Sequence, residues 1–148
     1  MLIGILKRLG RQLLYGGSKP LRGYETAVVD VPLAALPASD REVLAAQVDA
    51  RERVQRWNSD RMVLFGFASR DSLPPLSVTS ENCCLAKVKL THASGRLTAS
   101  VMTHRGFLSS VEFSSSPTEL QDAEVRVDSV KLHSTFPGYS ASIDREEH

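Results

Sequence analysis

Apolar and polar positions alternate most regularly between residues 83 and 115. In CLAKVKL, Cys84, Ala86, Val88 and Leu90 fall on one face of an extended chain, and in RLTASVMT one face takes Leu97, Ala99, Val101 and Thr103. A two-residue turn at Ser94–Gly95 sets Val88 opposite Val101 and Leu90 opposite Ala99. A three-residue turn would oppose them to Ser100 and Thr98, so the pattern selects the shorter one. The third run, FLSSVEF, is entered through His104-Arg105-Gly106. As a three-residue loop this triplet brings Thr103 opposite Phe107, Ala99 opposite Val111 and Leu97 opposite Phe113, with Gly106 at the left-handed position. The pattern therefore predicts a three-stranded antiparallel meander whose basic triplet is a turn. Its other face carries Lys87, Lys89, Thr91, Thr98, Ser100, Ser110 and Glu112 around an apolar island of Leu85, Met102 and Leu108.

The remaining elements follow from period and punctuation. MVLFGF predicts a compact strand, and YETAVVDV a short strand closed by Pro32, which lacks the amide a ladder needs. VPLAALP reads as a connector. The clearest helix opens at Ser39, with Glu42 at capping-box spacing, and its stripe of Val43, Ala46 or Gln47, Ala50, Val54 and Trp57 runs to Asn58-Ser59-Asp60. Arginines and acids alternate between positions 40 and 61 as on a solvated helix face. A second helix is predicted at the start of the chain, where Leu2, Ile5, Leu9 and Leu13 recur at helical intervals before Gly16-Gly17. Pro74-Pro75 lie in a loop over 68–82. AEVRVDSVKLH is a further strand whose alternation slips at Asp128-Ser129, the signature of a bulge. FPGYS is a turn, and residues 140–148 are expected to fray. Together these predict one α+β domain over residues 1–148, with an antiparallel sheet of about five strands and two main helices on one face.

Composition narrows the function classes. The chain has 148 residues, of which 42% are hydrophobic and 24% charged, as expected of one globular domain. A formal net charge of +1 gives no general attraction to nucleic acid. The basic residues are uneven, however: Lys7, Arg8, Arg11, Lys19 and Arg22 precede the first acid. The two cysteines are adjacent and point to opposite faces of a strand, so no disulfide framework exists, and a cytoplasmic location is expected. No apolar run approaches the roughly 18 residues of a membrane span.

Chemical motifs are sparse. The chain has no nucleophile elbow, phosphate-binding loop, dinucleotide fingerprint or zincin motif. Cys83, Cys84 and His104 together lack a fourth metal ligand, and no cofactor is expected. The leading expectation is a non-enzymatic protein-binding domain that meets another protein through Lys87, Lys89, Ser100 and Ser110 on the polar sheet face and through the tip residues His104 and Arg105. A second reading places Lys7, Arg8 and Arg11 of the basic amphipathic helix on an anionic membrane surface or an acidic partner. A third is an enzyme whose residues are scattered along the chain.

Residues 106–117, GFLSSVEFSSSP, are similar to the glycine–strand segment of SUKH-type immunity proteins. That family consists of small bacterial α+β proteins that neutralise partner toxins by binding them. The resemblance, carried by one strand, implies a bacterial, non-catalytic binding protein.

Overall fold

The computed structural model describes residues 20–120, 125–136 and 140–142. Two helices, α1 (Gly23–Ala35) and α2 (Ala38–Asp49), precede seven strands: β1 (Arg53–Trp57), β2 (Met62–Gly66), β3 (Cys83–His92), β4 (Gly95–His104), β5 (Phe107–Phe113), β6 (Arg126–Leu132) and β7 (Ser140–Ser142). The strands form one antiparallel sheet in the order β1-β2-β5-β4-β3-β6-β7. The α+β class, the antiparallel sheet and the meander agree with the sequence reading, and the sheet is somewhat wider than expected. Lys7, Arg8, Arg11 and the predicted N-terminal helix lie outside the described residues, as do 143–148. Within the stretch expected to fray, Ser140–Ser142 pairs with β6.

Both helices differ from the sequence reading. YETAVVDV is α1, not a strand, and Pro32 lies inside it. Its valines favour extended chain, but Tyr24, Val28 and Pro32 recur every four residues, as do Glu25 and Val29, and all five are buried. Tertiary burial of that stripe outweighs local propensity. Glu25 also reaches back to accept the Arg22 backbone N–H at 2.7 Å, the return half of a capping box. In α2 the N-cap is Pro37, not Ser39, and the helix stops at Asp49. It buries Asp40, Leu44 and, of the expected stripe, Gln47, while Val54 and Trp57 lie beyond its end. Those two residues belong to β1, and Asn58-Ser59-Asp60 turn the chain into β2 instead of ending a helix.

The meander forms with its apolar faces largely as read but with shifted pairing. The β3–β4 turn is Ala93–Ser94, so Val88 opposes Ala99 and Leu90 opposes Leu97. The β4–β5 turn is Arg105–Gly106, because His104 pairs with Phe107. Both turn residues have positive φ, 50° and 85°, matching the right-handed twist of the flanking strands. Three bulges then reassign faces. Leu85 is the extra residue in β3, which turns Cys83 rather than Cys84 inward. Ser109 is the extra residue in β5, which buries Leu108 and leaves Phe107 half-buried. Asp128 is the extra residue in β6, where the alternation predicted a slip.

The core lies between the helices and one sheet face. Val54, Val63, Val88, Leu90, Val101, Val111 and Leu132 from the sheet meet Tyr24, Val28, Leu36 and Leu44 from the helices. Tyr24 packs edge-on against Phe113, with ring centroids 5.6 Å apart. The loop over 68–82 closes the core beside the β4–β5 tip with Leu76 and Val78. Among the described residues both helices lie on one side of the sheet, and the opposite face carries none.

Candidate functional site: the open face of the sheet

Strand alternation fixes what the open face presents. One row crosses it through directly paired positions: Trp57, Met62, Glu112, Ser100, Lys87 and Lys131 on β1, β2, β5, β4, β3 and β6. Along this row a shallow depression of about 440 Å³ is lined by Arg61, Met62, Lys87, Ser100, Glu112 and Ser114 among others. Met62 in this lining is 36% exposed, and Trp57, which pairs with it on β1, is 57% exposed. These two are cross-strand neighbours and form one apolar spot beside charged residues.

The turn that carries Trp57 departs from ordinary backbone geometry. Asn58, Ser59 and Asp60 have φ of 56°, 52° and 64°, three consecutive non-glycine residues in the left-handed region. Each such residue costs about 1–2 kcal/mol unless, like Asn and Asp, it compensates through local hydrogen bonding. The surroundings hold the turn in place. Arg22 Nη1 donates to Asp60 Oδ2 at 2.6 Å, Ser116 Oγ donates to Ser59 O at 2.7 Å, and Arg61 N donates to Asn58 O at 3.2 Å. Hydrogen bonds from Arg22 to the Tyr24 hydroxyl and to Asp60 raise the guanidinium pKa further above its ordinary value. Strain held by several independent contacts is typical of binding and catalytic sites.

The six described candidate residues separate into three groups. Lys87 and Lys89 are exposed on the open face, with half-buried Ser100 between strands β3 and β5. Ser110, 5% exposed, sits between Leu64 and Met102 and is not available as a contact. His104 and Arg105 lie at the hairpin tip, about 17 Å along β4 from Ser100 for the arginine, so they do not share a site with the lysines. The tip residues are tied to the preceding loop. Arg105 N donates to Ser80 O at 2.9 Å, the Arg105 guanidinium meets Glu81 at 3.2 Å, and His104 Nδ1 lies 3.3 Å from Asn82 Oδ1. Sequence reasoning missed Trp57, Met62 and Lys131. Lys131 could have been found from the alternation of VRVDSVKL once the bulge at Asp128 was counted. Trp57 was hidden by the helical reading of β1.

The described histidines offer no dyad geometry: His92, His104 and His133 engage Ser94, Asn82 and Thr135 respectively. No group of three or more potential metal ligands occurs among the described residues. Among these residues, too, no helix is long and apolar enough to cross a membrane. Burial pushes the Cys83 thiol up, against the pull of a hydrogen bond from Thr103, and so depletes the thiolate. In a Cys84→Ser variant, native-state alkylation of Cys83 is therefore expected to run about tenfold or more slower than in guanidinium, read by mass spectrometry. Equal rates would show that the β3 bulge opens freely.

The described residues define an α+β domain with helices on one side of the sheet and a mixed polar and apolar surface on the other. The chain matches no family model, and no curated protein or solved structure matches it.

Proposed function

We propose that this protein is a non-enzymatic binding module that engages another protein through the open face of its sheet. The observation that carries this reading is the exposed Trp57–Met62 pair, of which Met62 lines the depression, presented by a turn of three left-handed residues. Tryptophan and methionine are enriched at protein interfaces, and a large aromatic beside a polar rim is the usual composition of an energetic hot spot. Seven strands spaced about 4.8 Å apart span about 29 Å, wide enough for the roughly 800 Å² that one partner buries in a standard interface. The resemblance of residues 106–117 to SUKH-type immunity proteins suggests one form of this activity, neutralisation of a bacterial toxin by occlusion.

The test is Trp57→Ala. Because the indole is more than half exposed, its removal is expected to change stability by less than about 0.5 kcal/mol. It is expected to weaken partner binding by about 2 kcal/mol, roughly thirtyfold. Wild-type and variant chains, immobilised side by side and exposed to source-cell lysate, should differ in one stoichiometric protein on quantitative mass spectrometry. Identical capture by both would remove Trp57 from the interface and this reading with it.

A further inference from the structure

Charge on the open face identifies the chemistry of the partner, on the reading that this face is the binding surface. Lys87 on β3 pairs directly with Lys131 on β6, and Lys89 is diagonal to Lys131 across the same ladder. All three side chains are exposed, and among the described residues none makes an ion pair. Like charges directly opposite on neighbouring strands have Cβ atoms about 5 Å apart and destabilise the sheet. Asp128, the acid carried by β6, is already engaged. Asp128 accepts hydrogen bonds from the Thr91 hydroxyl and from Arg126 Nε, and these hold its carboxyl below the ordinary range. Glu112 lies in the row of Lys87 but two strands away, beyond Ser100.

We infer that Lys87, Lys89 and Lys131 form a cationic docking row for an acidic protein surface, with Trp57 and Met62 as its apolar end. A sequence that retains an opposed lysine pair, where one acid would stabilise the ladder, keeps a local cost that binding of an anionic partner relieves. The chemistry favours protein carboxylates over nucleic acid. The described centre of the face is Thr98, Ser100 and lysine side chains, without the aromatic platform on which bases stack, and its one exposed large aromatic stands at the sheet edge.

The test is Lys131→Glu, with Lys131→Arg as the charge-conserving control. Turning the like pair into an opposite pair is expected to raise the unfolding midpoint by about 1–3 °C. The same change is expected to lower partner capture by the full chain about tenfold or more, while Lys131→Arg retains it. Capture by the wild type should also fall steeply as salt rises from 50 to 500 mM (the probe conditions), and should survive nuclease treatment of the lysate. If Lys131→Glu captures the partner as well as wild type while Trp57→Ala loses it, the face binds protein but the acidic partner is wrong. If neither variant loses capture, or the wild type captures nothing, both readings fall. Capture abolished by nuclease makes the ligand a nucleic acid and overturns the inference. A fall in midpoint for Lys131→Glu removes its premise, that the two lysines oppose each other.

Discussion

Replacing Glu25 with alanine is expected to destabilise the fold by about 3–5 kcal/mol, the usual cost of removing one partner from a buried charge pair. The Glu25 side chain is 1% exposed and that of Arg56 12%, and two hydrogen bonds join them at 2.5 and 2.8 Å. The same carboxylate accepts the Arg22 backbone N–H, so alanine removes a helix cap along with a charge. Against a total stability of about 5–15 kcal/mol this is a large fraction, visible as a fall in melting temperature of about 10 °C. Glu25→Gln keeps the shape and the acceptor oxygen, so it should lie between wild type and alanine. The pair also joins α1 to β1 one residue before Trp57, so loosening it should disorder the strained turn before the rest of the sheet. Hydrogen exchange at Asn58–Asp60 reads that step. A loss below about 1 kcal/mol for Glu25→Ala would mean that the pair contributes neither to stability nor to placing Trp57.

The same residues show why parts of this molecule are legible in its sequence and parts are not. Period-two alternation is strong where one strand face is wholly apolar, so Leu97, Ala99 and Val101 could be placed, and all are buried. Bulges change that parity through the backbone. Only the one at Asp128 leaves a mark in the alternation, while those at Leu85 and Ser109 exchange the faces of Cys83 and Leu108 unannounced. Segments whose local preference opposes their tertiary setting are misread. The valines of α1 resemble a strand, and the arginines of β1 resemble a charged helix because Arg56, one of them, is spent on Glu25, 31 residues earlier. The polar face was identified from Lys87 and Lys89, but its apolar end became visible only when the β1–β2 hairpin put Trp57 beside Met62. Buried polar anchors were the least accessible. Helical spacing admits Gln47 to the buried stripe in place of Ala46, but nothing in the sequence signals that its amide is bonded to the β4–β5 turn.

That turn yields the second large effect, in Gly106→Ala. Gly106 has φ of 85°, and a Cβ there would stand 2.7 Å from Pro75 Cβ and 3.1 Å from the Leu76 carbonyl oxygen. Left-handed strain of about 1–2 kcal/mol adds to an overpacking cost of about 1–3 kcal/mol, so a loss of about 2–5 kcal/mol is expected. The neighbours have little room to yield. The Gly106 carbonyl accepts Leu76 N at 2.8 Å and Gln47 Nε2 at 3.0 Å, while Gln47 Nε2 also donates to Pro74 O and its Oε1 accepts Leu108 N. Moving the 74–76 segment away from a new methyl group therefore breaks the bonds that tie α2, the loop and the hairpin tip together. Gly95→Ala is the control. Gly95 also has positive φ, 149°, but open space surrounds it, so its cost should be strain alone. Chemical denaturation of the two variants separates the terms: equal losses would show that Pro75 and Leu76 move aside easily and that the loop is not a rigid strap. The lysine row lies on the opposite side of the sheet, so binding per folded molecule should be unchanged in Gly106→Ala. A variant that folds yet no longer binds would place the hairpin tip, with His104 and Arg105, back in the interface.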